Sequence, residues 1–133
     1  MVGFLPMVGG EAVTLERVAG WIFAPIAWLM GIPWAEASTA GSLLGVKSVL
    51  NEFIAYIQLS AMPADALSER SRLITIYALA GFANLASIGI QISGIGTMAP
   101  ERRGDLAQLA WPAFVAATLA SCMTGCVVGI VAG

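Results

Sequence analysis

The sequence predicts an all-α polytopic membrane protein: spanning helices plus a re-entrant helical hairpin and a broken helix. Three observations carry that expectation. First, 59% of the 133 residues are hydrophobic and 11% are charged, with a mean hydropathy of +0.87. Soluble domains are about 45–50% apolar and about 25% charged, and a short chain buries too little of its surface to hide such an excess. Second, the six basic and eight acidic residues are clustered. They leave uncharged stretches at 18–35, 73–100 and 106–133, against the roughly 20 apolar residues that a spanning helix needs. Third, Lys47 and Glu52 stand in the middle of an otherwise apolar run.

The first membrane helix is expected over 14–35. Thr14 is a candidate N-cap, and Glu16 falls in the first turn, where the helix dipole favours negative charge. Trp21, Trp28 and Trp34 suit a membrane interface, and Pro25 or Pro33 would kink or end the helix.

Residues 37–64 do not read as a plain span. A charged side chain at the bilayer centre costs at least about 2.5–3.5 kcal/mol on insertion scales, and this stretch holds Lys47 and Glu52. About ten residues on either side suffice for two half-helices of roughly 15 Å each, so a re-entrant hairpin fits better. Its first arm, Ala37-Ser38-Thr39-Ala40-Gly41-Ser42, is built of small residues that permit close helix packing.

Residues 72–98 are expected to form a broken membrane helix. The stretch is long, is punctuated by Gly81, Gly89, Gly94 and Gly96, and carries Asn84 and Ser87 near its centre. Ser68 is a candidate cap ahead of it. Interrupted helices beside a re-entrant hairpin are the arrangement that secondary transporters use for midplane sites. The last membrane helix is expected over 104–132, begun by Pro100-Glu101. Within it, Gly125 and Gly129 form a G-x-x-x-G spacing, which marks either a close helix contact or tolerated glycines.

Composition also excludes. A net charge of -2 without a basic stripe gives no footprint for nucleic acid. With no His, the commonest general base is missing. Cys122 and Cys126, at i,i+4 in an apolar run, suit a disulfide poorly and read as packing residues. Met1-Val2-Gly3-Phe4-Leu5-Pro6 lacks the basic n-region of a secretory signal. Gly94-Ile95-Gly96-Thr97-Met98-Ala99 fits the loose dinucleotide pattern but leads into Pro100, without the strand and helix that the fingerprint requires. No cofactor or metal is expected.

Two stretches hold the candidate site. On a continuous helix, Ser48, Glu52 and Tyr56 share one face, and Lys47 and Asn51 another. Glu52 would then offer a carboxylate to vicinal hydroxyls, as on a sugar; the alternative is a buried Lys47–Glu52 pair. In Gly81-Phe82-Ala83-Asn84-Leu85-Ala86-Ser87, Asn84 and Ser87 present an amide and a hydroxyl on one face, and Phe82 an aromatic face for a flat base. The alternative there is interhelical bonding and core packing.

These stretches resemble a known family. Gly45-x-Lys47-x-x-x-Asn51-Glu52-Phe53-Ile54-Ala55-Tyr56 matches a long motif of the concentrative nucleoside transporters, NupC-like bacterial members included. Gly81-Phe82-Ala83-Asn84 with Ser87-Ile88-Gly89-Ile90-Gln91 is similar to the family's following broken helix. Ala99-Pro100-Glu101-Arg102-Arg103 is similar to the loop before its last helix, and Phe23-Ala24-Pro25-Ile26-Ala27-Trp28-Leu29-Met30-Gly31 to its preceding helix. One departure is Ala86, where many relatives have Ser.

The resemblance implies the second half of an inverted-repeat transporter fold and a symporter coupled to Na+ or H+, usually a homotrimer, multi-pass in the inner or plasma membrane. It implies that Glu52, Asn84 and Ser87 bind the ribose, that Phe82 lines the base pocket, and that Lys47 and Asn51 support the hairpin. The family fold is about three times longer. The chain is therefore expected to be a fragment without its N-terminal half, which would hold most of the coupling-ion site. The other readings are a structural or pore-lining subunit that binds no nucleoside and, less well supported, a membrane-embedded enzyme. Arginines at 70 and 72 and at 102 and 103 tie the positive-inside count; by resemblance the Arg102-Arg103 loop is cytoplasmic.

Overall fold

The computed structural model describes residues 7–8, 11–12 and 15–133, with side chains from residue 17 onward. The Thr14 cap lies outside the described residues. A two-stranded ribbon pairs β1 (Met7–Val8) antiparallel to β2 (Glu11–Ala12). Helices follow: α1 (Leu15–Leu29), α2 (Trp34–Val49), α3 (Glu52–Ala61), α4 (Glu69–Leu79), α5 (Leu85–Met98) and α6 (Arg103–Val131). One 3-10 turn, Pro100–Arg102, precedes α6.

The first helix is shorter than the expected 14–35, and its end has a local cause. Gly31 adopts φ +97, Ile32 N–H donates to Ala27 O at 3.3 Å, and Gly31 N–H donates to Trp28 O at 2.9 Å. That is a Schellman stop with glycine in the left-handed position. Pro33 then opens α2, and the chain turns by 119° between the two helices. Pro25 stays inside α1 without ending it. Trp28 and Trp34 meet edge to face across the turn, ring centroids 6.4 Å apart.

The small residues of α2 do what their size permits. A Cβ added at Gly41 would lie 2.8 Å from both Ala24 N and Gly20 O, and one at Gly45 would collide with Ala19 Cβ. α1 and α2 therefore pack backbone to backbone. With α4 they enclose the core of Ala24, Ala27, Ala37, Ala40, Leu43 and Ile74. Gly125 and Gly129 mark a close contact too: an added Cβ would come within 3.0 Å of Met30 Sδ at the first and 2.8 Å of Met30 O at the second.

Two bonds fasten α2 to α4 at their N-terminal ends. Ser68 caps α4 by accepting from Ser71 N–H, and its own N–H and hydroxyl donate to Glu36 Oε2 at 3.1 and 3.0 Å. Arg70 reaches two carbonyls, Gly31 O at 2.5 Å and Gly129 O at 2.7 Å. Among the described residues, Pro100–Val131 is the stretch long and apolar enough to cross a membrane; little of it is buried within the chain. Cys122 is buried and Cys126 half-buried, both as free thiols.

Candidate functional site

Two helix breaks make the site. The first is Leu50-Asn51, between α2 and α3. Asn51 is extended at φ -167, and its Oδ1 accepts from Ile54 N–H at 2.9 Å. This is an N-cap, so it restarts the helix at Glu52 and sets that carboxylate in the first turn. The break corrects the expected continuous face of Ser48, Glu52 and Tyr56. Ser48 belongs to α2 and donates to Leu44 O at 2.8 Å, whereas Glu52 and Tyr56 belong to α3. Asn51 is spent on the cap.

The second break is 80–84, between α4 and α5. Asn84 starts α5 through a capping box: its Oδ1 accepts from Ser87 N–H at 2.8 Å, and Ser87 Oγ accepts from Asn84 N–H at 3.4 Å. Ser87 Oγ also donates to Asn84 O at 2.6 Å. The i,i+3 spacing that offered a polar face is thus first a helix start.

The two breaks touch. Asn84 Nδ2 donates to Glu52 Oε2 at 3.3 Å. The carboxylate therefore lies beside the N-termini of both α3 and α5, whose dipoles favour negative charge there. Asn84 is 6% exposed and Glu52 half-buried. Glu52 keeps acceptor positions beyond this bond, since a carboxylate offers about four. Ser87's proton is committed to Asn84 O, so its hydroxyl faces a further partner as an acceptor.

Phe82 is 78% exposed. With Ser87 and residues of α5 and α6 it lines a mostly apolar cavity of about 490 Å³. Glu52 and Asn84 do not line that cavity, so the four candidates fall into a hydrogen-bonded pair and two wall residues. Among the described residues, no ion pair joins Lys47 to Glu52. Lys47 is 2% exposed, and its Nζ donates to Ala78 O at 2.9 Å. Tyr56 donates to Ile76 O at 2.7 Å; that role went unread in the sequence, although Tyr56 lies one turn beyond Glu52. Among the described residues, no group of three or more His, Cys, Asp or Glu is placed to hold a metal ion.

A helical bundle interrupted at two touching breaks is an arrangement that secondary transporters use. The family described as "Na+ dependent nucleoside transporter C-terminus" matches residues 1–129, and the chain belongs to it. The Bacillus subtilis (strain 168) transporter YutK is 42% identical over 96% of this chain and 31% of its own length. The putative nucleoside permease NupX of Escherichia coli (strain K12) is 40% identical over 94% of this chain and 30% of its own. Among solved structures, CNTnw in an inward-facing substrate-bound state superposes with a TM-score of 0.82 at 44% identity, covering 88% of this chain and 29% of that one. The chain thus spans about a third of the length of these relatives.

Proposed function

We propose that this chain supplies the ribose-facing half of the substrate site in an ion-coupled nucleoside symporter of a cell membrane. On this reading α2 and α3 are the two arms of a re-entrant hairpin, and α4 and α5 are one broken membrane helix. The observation that carries it is the Asn84–Glu52 hydrogen bond, which sets a carboxylate with free acceptor positions at the meeting of two helix breaks. Vicinal ribose hydroxyls are donors that match those positions, Ser87 Oγ accepts a further donor, and Phe82 offers a ring for a base to stack on. The family's description supports sodium as the coupling ion, with H+ the alternative; its site is expected mainly in the N-terminal part of the family fold, and the assembly is expected to be a homotrimer.

The test is uptake by a full-length transporter that carries these residues. Hydrogen bonds to charged groups contribute about 1.5–3 kcal/mol, so Glu52→Gln should raise KM for uridine about ten- to a hundredfold. The loss should shrink for a nucleoside already lacking its ribose hydroxyls. An unchanged KM for uridine sinks the ribose assignment.

A further inference from the structure

A helix stopped inside a membrane leaves its last carbonyls without their intrahelical donors. In transporters built from broken helices, such half-helix C-termini are where a coupling cation is coordinated. The end of α4 is an end of this kind, yet three of its carbonyls, Ile76, Tyr77 and Ala78, are already taken. Ile76 O accepts from Tyr56 Oη at 2.7 Å. Tyr77 O accepts from Ala80 N–H at 3.3 Å. Ala78 O, whose partner in an unbroken helix would be the N–H of Phe82, accepts from Lys47 Nζ at 2.9 Å. The two side-chain donors come from neighbouring helices, Lys47 from α2 and Tyr56 from α3. The ammonium is sealed in, for Lys47 is 2% exposed. The next segment runs close by: a Cβ added at Gly81 would lie 3.4 Å from Nζ and would collide with Ser121 Oγ of α6.

We propose that Lys47 is a covalently tethered cation standing where a free coupling ion would otherwise sit at the C-terminal end of α4. Its ammonium faces the negative end of that helix dipole. Through Ala78 O it fixes the course of residues 80–84, which carry Phe82 and Asn84. Lys47 is therefore a positioning residue. The proposal rests on the preceding reading of the break as a substrate site.

The experiment uses a full-length transporter carrying this chain, with Lys47→Met, Lys47→Ala and Lys47→Arg variants. Lys47→Met keeps the volume and removes the charge; it should raise the nucleoside KM about tenfold or more. Lys47→Ala should melt at a lower temperature than the parent, and millimolar methylammonium should restore both melting temperature and uptake, while the bulkier tetramethylammonium should not. Lys47→Arg should retain more uptake than Lys47→Met. If Lys47→Met and Lys47→Ala do not accumulate in the membrane while Lys47→Arg does and transports, the requirement for charge stands. Parental KM in Lys47→Met, no rescue of Lys47→Ala by methylammonium, or equal loss in Lys47→Arg and Lys47→Met overturns the proposal. Failure of the ribose assignment reads differently: Glu52→Gln would leave KM unchanged while methylammonium still raised the melting temperature of Lys47→Ala.

Discussion

The α1–α2–α4 side of the molecule, and the side made by α5 with the first half of α6, are built from similar residues and behave oppositely. On the first side the glycines are contact points. Gly41 brings α2 against the backbone of α1, and Ala27, Ala37, Ala40 and Ile74 are fully buried around it. On the second side, Gly89 and Gly94 meet nothing within 4 Å, and Ile90, Met98, Leu109 and Trp111 are exposed. A glycine-rich apolar helix thus has two uses. One helix is locked to its neighbours by close approach, while the other presents an apolar surface for lipid or further protein to cover.

The largest effect that would break this contrast is at Gly41. Gly41→Leu forces apart two backbones already in contact, so it should cost more than about 3 kcal/mol, the upper range for overpacking. Loss of the folded transporter in a detergent melt would register that cost; a parental melting temperature would refute the lock. An intermediate effect is expected at Arg70. Arg70→Met removes charged donors from Gly31 O and Gly129 O, a loss of about 2 kcal/mol, read in the same assay. The smallest effect is expected at Gly89 and Gly94. Alanine there meets no neighbour in the chain and gains up to about 1 kcal/mol of helix propensity, so melting should stay level or rise slightly. If Gly89→Ala leaves melting level but abolishes uptake, a moving part of the transporter packs on that face, and the comparison sharpens from lipid-facing to partner-facing.

Much of this was legible in the sequence, and the failures share a cause. Clustered charges located the connections between helices, Ser68 and Pro100 marked starts, and the Lys47 and Glu52 pair flagged a stretch that no plain span would carry. The stop at Gly31 falls short of the expected end at residue 35, although glycine two residues before a proline is a helix-end signal. The breaks at the hairpin and in 72–98 are expected from the sequence, but their positions are not: helical spacing puts Asn51 and Asn84 on polar faces, whereas both are N-caps, and a cap breaks the periodicity on which a face is drawn. The Asn84–Glu52 and Lys47–Ala78 bonds each span about thirty residues, and no local pattern encodes such a pairing.

Arg70 also has a mechanical consequence. One guanidinium holds the turn after α1, the first turn of α4 and the last turns of α6, while Glu36 ties the start of α2 to the same end. That end of the bundle is a stiff hub. The ends of α1, α2, α4 and α6 are thus pinned together at one place.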